Sequence, residues 1–202
     1  MPAWSIEQVT EFYGSYAEEY DDEIHRDSYP APFVIASWVV SHLSQNVEND
    51  SKEALRVLDL GCGTGQRPLD RDIDVYGVDA TPEMLEKAKR YPFYDLRCQD
   101  IEATLPYDRP FDAVICVGVI DFIKSPRKLF DSVAKCLKGN SSGCFGLTLP
   151  ESGGLNKFSD EELAKLVAAG GFKMLKHDRI FGYEDSETKD VVRYHGLLLA
   201  PA

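Results

Sequence analysis

At 202 residues the chain is long enough for one sizeable hydrophobic core and too short for two ordinary domains with linkers, so a single domain over 1–202 is expected. Hydrophobic residues make up 44% and charged residues 28%, the balance of a globular chain, not of a disordered or fibrous one. A formal net charge of −12 repels phosphate backbones and anionic lipid, which argues against nucleic acid and membrane surfaces as partners.

In chain order, Ile6, Val9, Tyr13, Tyr16, Ala17 and Tyr20 recur at helical spacing and predict an amphipathic helix over 5–21. A second helix is predicted over 32–43, with Phe33, Ile35, Trp38, Val39 and His42 on one broad face. The polar run SQNVENDSKE (44–53) ends this N-terminal helical cap, residues 1–54. From Leu55 the pattern changes. LRVLDL, DVYGVD, YDLRCQ, FDAVICVGV and GCFGLTL are short apolar runs of strand character. Helix starts stand between them: Thr81-Pro82-Glu83, Ser125-Pro126, and a capping box of Ser159 with Glu162. The last segment, from Phe172, holds two strand-like runs with no helix between them. The expected fold is α/β: a three-layer Rossmann-like sandwich over 55–202 whose mostly parallel seven-stranded sheet ends in an antiparallel C-terminal strand.

The turn Gly61-Cys62-Gly63-Thr64-Gly65 follows the first strand directly, at the end where open α/β sheets bind ligands. Its glycines admit a ligand without a Cβ in the way. The dinucleotide fingerprint G-x-G-x-x-G is not met, because the third glycine falls one position early. Pro68 and the charges Asp70, Arg71, Asp72 and Asp74 leave room for about one helical turn, a poor support for a pyrophosphate. A ligand with ribose and adenine but no phosphate loses far less. Asp79 closes DVYGVD about 20 residues after Asp59, the offset of an acid that binds ribose hydroxyls. Asp100 closes YDLRCQD, where a carboxylate accepts from an exocyclic amine.

VLDLGCGTG, VYGVDATPEMLEKAK, CQDIEATLP and FDAVICVGVIDFI, in this order over residues 55–150, resemble the class I S-adenosylmethionine-dependent methyltransferases. The N-terminal FYGSYAEEYD is similar to a helix in a small subset that includes the methyltransferase-like 27 group. The resemblance implies S-adenosylmethionine as cofactor, its methionine moiety against Gly61, Cys62 and Gly63 with Asp59 orienting the loop. It implies the ribose on Asp79 beside Ala80, and the adenine on Asp100 beside Ile101. Val117 would line the pocket and Tyr20 would cover the methionine end. The segment after Gly65 is about three residues shorter than the family's usual spacing, which puts the pocket near the methionine carboxylate in question.

Methyl transfer needs an aligned nucleophile and the exclusion of water, with a general base only where the acceptor is protonated. Asp121, just past the fourth strand, is the candidate base; a helix-capping aspartate is its plainer reading. Tyr13, His25, Tyr183 and His195 are secondary candidates in the covering segments. The four histidines show no metal spacing and no metal is expected. Five cysteines without C-x-x-C spacing argue against a disulfide framework and for a reducing, cytoplasmic setting. No run approaches the ~18 apolar residues of a membrane span. The cap and the ESGGLNK loop (151–157) suit a small acceptor, with an exposed protein side chain kept open. Two other readings stand beside this one. One is a non-catalytic module that keeps the fold. The other is a nicotinamide oxidoreductase, which would need a glycine register and a catalytic pair that the sequence lacks.

Overall fold

The computed structural model describes residues 4–26, 29–46, 54–66, 72–108, 110–139, 142–151, 157–184 and 191–202, with side chains omitted for 23–26. The helices are α1 (Ile6–Arg26), α2 (Ala31–Asn46), α3 (Pro82–Ala88), α4 (Pro126–Cys136) and α5 (Asp160–Ala169). The strands are β1 (Leu55–Leu60), β2 (Ile73–Asp79), β3 (Asp95–Cys98), β4 (Ala113–Cys116), β5 (Cys144–Pro150), β6 (Phe172–Glu184) and β7 (Val191–Pro201). A short 3-10 turn, Ile120–Phe122, follows β4. No helix among the described residues is long and apolar enough to cross a membrane.

The seven strands among the described residues join one sheet in the order β3-β2-β1-β4-β5-β7-β6. The first five are mutually parallel, while β7 runs antiparallel to both β5 and β6. This is the expected Rossmann-like sheet, and alternation along each strand builds its two cores. Val57, Ala113, Ile115 and Cys144 point to one face and meet Ile35, Ala36, Val39 and Leu43 of α2. Leu58, Val114, Cys116, Phe145 and Leu147 point to the other and meet Leu129, Phe130 and Val133 of α4 and Leu163 and Val167 of α5. Each buried Val, Leu, Ile or Phe among them contributes about 1.5–3 kcal/mol. On β5, α2 approaches so closely that a Cβ on Gly146 would lie 2.7 Å from Val39 Cγ2.

The predicted helices begin where expected and run further. α1 continues to Arg26 because nothing in YDDEIHR breaks it. On α2 the buried set is Ala31, Ile35, Ala36, Val39 and Leu43, at i, i+4 and i+8 spacing. Phe33 falls two positions off that stripe and is 51% exposed, contrary to the expected broad face. Ser159 and Glu162 form the full capping box, but Thr81 and Ser125 cap without a side-chain hydrogen bond. There Pro82 and Pro126 supply the helical φ that starts α3 and α4. α1 lies across α3, tied by Lys87 to Glu18 and by Arg90 Nη2 to Asp21 Oδ2 at 2.9 Å.

Candidate functional site

Strand order reverses between β1 and β4, and the glycine turn sits at the carboxyl end of β1 beside that point. Gly61, Gly63 and Gly65 all have positive φ, at 70°, 51° and 84°. The amides of Gly61 and Cys62 both donate to Val78 O, at 2.8 and 3.1 Å, which folds the turn against β2. A Cβ on Gly61 would meet Val119 Cγ2 at 2.3 Å. One on Gly63 would meet nothing within 4 Å, so this position faces open space.

That space is a cleft of about 900 Å3 joined to a smaller one of about 650 Å3. Tyr20, Gly61, Gly63, Val117 and Gly118 line both. Asp79, Ala80, Asp100 and Ile101 line the larger, and Asp59 and Cys62 the smaller. The strand-end residues singled out in the sequence therefore converge on one continuous site.

Asp79 Oδ2 accepts from the Gly63 amide at 2.8 Å and Oδ1 from the Thr81 amide at 2.8 Å. Burial raises its pKa, opposed by these hydrogen bonds. Each oxygen keeps a further lone pair for an incoming hydroxyl. Asp100 Oδ1 accepts from the Glu102 amide at 2.9 Å, so this residue also orders its own turn. Glu102 in turn accepts from the Ser125 amide at 2.9 Å and holds the start of α4. Burial pushes the Cys62 thiol well up, which keeps it protonated and argues against a nucleophilic role.

The cover comes from α1. Tyr20 packs edge-on against Tyr13 and Tyr16 at centroid distances of 6.1 and 6.0 Å, and burial raises its phenol to about 12. Tyr13 also lines the larger cleft and meets Phe122 edge-on at 5.7 Å. Trp4, Val119 and Phe122 complete this apolar wall, and sequence reasoning missed all three. Trp4 precedes the predicted helix and stands two and five positions from Ile6 and Val9, off the helical spacing, so periodicity gives no signal for it.

Asp121 lines neither of these clefts. It sits 8% exposed in the 3-10 turn, behind the wall to which its neighbour Phe122 belongs. Its Oδ2 accepts from Tyr194 Oη at 3.1 Å, while Oδ1 is buried with no hydrogen-bond partner. Burial raises its pKa to about 6. Burial raises the phenols of Tyr13, Tyr29 and Tyr194, and the Asp121 charge adds to it. Tyr29 lines the smaller cleft and meets Tyr194 edge-on at 5.9 Å. Tyr183 shares this neighbourhood at 37% exposure, whereas His195 is fully buried among other partners on β6. The His25 side chain, the shortened segment at 67–71 and most of the ESGGLNK loop lie outside the described residues.

Comparison with known proteins fits this geometry. Residues 58–145 match the family model of the methyltransferase domain. The match covers 88 of the 202 residues. An uncharacterised methyltransferase of Emericella nidulans is 31% identical over 132 residues, covering 61% of this chain and 42% of that one. A ubiquinone biosynthesis O-methyltransferase of Xylella fastidiosa is 33% identical over 97 residues, covering 44% and 39%. The chain spans about two fifths of the length of these curated relatives. Among solved structures, magnesium protoporphyrin IX methyltransferase from Synechocystis PCC 6803 with bound SAM superposes with TM-score 0.68 at 16% identity, over the whole of both chains. The [4+2]-cyclase SpnF superposes with TM-score 0.74 at 18% identity, over 100% of this chain and 98% of that one. The methyltransferase fold thus also carries a cyclase, so the fold leaves the reaction to the site.

Proposed function

We propose that this protein is an S-adenosylmethionine-dependent methyltransferase acting on a small-molecule acceptor, and that it resembles the methyltransferase-like 27 group in its N-terminal helix. The observation that carries the reading is the continuous cleft in which Asp79 and Asp100 stand beside the glycine turn under Tyr20. The donor set fits the cofactor: Asp79 for two ribose hydroxyls, Asp100 for the adenine amine, and a Gly63 that leaves the backbone bare. Asp59 and Cys62 in the smaller cleft suit the methionine end. When bound, the cofactor supplies a methyl group on a sulfonium, an intrinsically good leaving group.

The chain's own work is then alignment and exclusion of water, for which Tyr13, Tyr20 and Phe122 form an aromatic cover. Asp121 is the proposed proton acceptor. Its raised pKa of about 6 leaves it ionised at neutral pH yet more basic than an ordinary carboxylate. Tyr194 orients one of its oxygens; the other is buried and unpartnered behind Phe122, so it meets an acceptor N–H or O–H only when that wall opens.

Calorimetry with S-adenosylhomocysteine and with NADH tests the assignment. We expect binding of the former alone; binding of NADH alone, or of neither, overturns it.

A further inference from the structure

Away from these clefts, the β6–β7 pairing gathers residues that the sequence scatters. His177 and Arg179 share one face of β6, and His195 lies directly opposite Arg179 on β7. The capping box at Ser159 fixes the first turn of α5, so that Asp160 stands over the same face. His177 Nε2 lies 3.0 Å from His195 Nδ1, which is 3.8 Å from Asp160 Oδ1. The three ligand atoms all fall within 4.8 Å of one another.

The partners of the two rings decide where their protons sit. His195 Nε2 is 2.7 Å from Phe158 O, and a carbonyl only accepts, so Nε2 carries the hydrogen and Nδ1 presents a lone pair. Arg179 Nη1 is 3.2 Å from His177 Nε2, and a guanidinium only donates, so in the Nδ1–H tautomer of His177 this nitrogen presents a lone pair as well, which a cation between the rings would share with His195 Nδ1. Two nitrogen lone pairs and a carboxylate oxygen therefore converge on one point, and a cation is what they have in common.

We propose that Asp160, His177 and His195 form a site for a divalent transition metal of the zinc type. Tetrahedral zinc with ligands at ~2.0–2.1 Å sets ligand atoms roughly 3.3 Å apart; the two separations to His195 Nδ1 are 3.0 and 3.8 Å, and the third, within 4.8 Å, closes as Asp160 turns toward the ion. A donor set of two nitrogens and one oxygen favours Zn2+ or Co2+ over the oxygen-seeking Mg2+ and Ca2+. The Nε2–H of His195 held by a backbone carbonyl is the outer support that fixes the ring of a ligating histidine.

Arg179 is the competitor. Its Nη2 donates to Asp160 Oδ1 at 2.8 Å and its Nε to Glu151 Oε1 at 2.9 Å. The other Glu151 oxygen is buried without a partner. A guanidinium moved wholly onto Glu151 satisfies both oxygens of that carboxylate and releases Asp160 and His177 to the metal. Asp160 is exposed, which gives the ion its entry. Bound there, the ion staples the first turn of α5 to the β6–β7 pair.

The test uses the full chain after chelation, in a Cys98→Ser background, since Cys98 is the exposed thiol among the five cysteines. Calorimetry with ZnCl2 and visible spectra with CoCl2 are the readouts, with circular dichroism to check folding. We expect one equivalent to bind, a tetrahedral cobalt spectrum without a thiolate band, and a melting midpoint that rises with zinc. Asp160→Asn and His177→Gln, both at accessible side chains, should each weaken binding by about tenfold or more. Arg179→Gln removes the competing charge and should tighten binding by about threefold or more. Stoichiometric binding that survives Asp160→Asn and His177→Gln together overturns the site. So does the absence of zinc binding with imidazole resonances that respond to pH alone, the signature of a shared proton.

Discussion

Gly63 donates its amide to Asp79 Oδ2 at 2.8 Å, so the tip of the glycine turn after β1 is fastened to the acid that ends β2. The second oxygen of the same carboxylate takes the Thr81 amide, at the start of α3. One side chain thus sets the turn and the helix on either side of the cleft. Asp79→Ala is expected to reduce affinity for S-adenosylhomocysteine about 100-fold, and to cost about 1–3 kcal/mol of stability through the two stranded amides. Calorimetry and urea denaturation measure the two effects separately. Unchanged affinity would remove Asp79 from the ribose role.

Two neighbouring glycines should separate stability from binding. Gly61→Ala drives a methyl into Val119 at 2.3 Å and strains a positive φ, an expected cost of about 2–4 kcal/mol. Gly63→Ala strains its φ by about 1–2 kcal/mol but meets no protein atom, and its methyl enters the cleft. Its signature is cofactor affinity lowered about tenfold with a much smaller loss of stability, read by calorimetry and thermal melts.

Asp121 makes a pH prediction whose sign follows from its burial. The folded carboxyl titrates at about 6 and the unfolded one near 3.8, so between these values the folded chain holds more protons. Stability from this group therefore falls as pH rises from about 4 to about 6, and the cost persists above it. Asp121→Asn should recover on the order of 1–3 kcal/mol at pH 7–8 and flatten the melting profile over that window. It should also abolish most methyl transfer while sparing S-adenosylhomocysteine binding. Turnover retained with that binding intact would exclude the base.

Tyr20 is expected to act as cover through its ring. Tyr20→Phe keeps the edge-on packing with Tyr13 and Tyr16 and should change cofactor affinity by less than about threefold. Tyr20→Ala opens both clefts and should weaken it by about tenfold or more. Equal losses in the two variants would instead assign the effect to the hydroxyl.

The parallel sheet and its ligand end were legible because local signals agreed: apolar runs, glycines at the first strand end, acids at the next two. Asp79, Asp100 and the glycine turn followed from their positions along strands, which sequence spacing fixes. The wall formed by Trp4, Val119 and Phe122 was not legible, since it depends on how α1 crosses α3, a packing angle that no local pattern encodes. Asp121 was found as a residue but not as a buried one, because the turn that points it inward is set by Tyr194 from β7. His177 and His195 stand 18 positions apart and meet through strand register, so spacing rules for short metal motifs pass over them.

The insertion of β7 between β5 and β6 bears on how the chain folds as well as on where it ends up. During synthesis β5 emerges with one edge unpaired, and it stays so until residues 191–201 are available. Its seven residues are fully buried in the native sheet, so the nascent chain carries a bare, apolar strand edge for the span of about 40 residues that separates the two strands. Collapse of α2 and α4 onto the parallel strands can begin early, but β7, made after β6, is the strand that seals the sheet. Folding should therefore be slow relative to a helical protein of this size, and ribosome-bound chains halted before residue 191 should be captured by chaperones that recognise extended apolar segments.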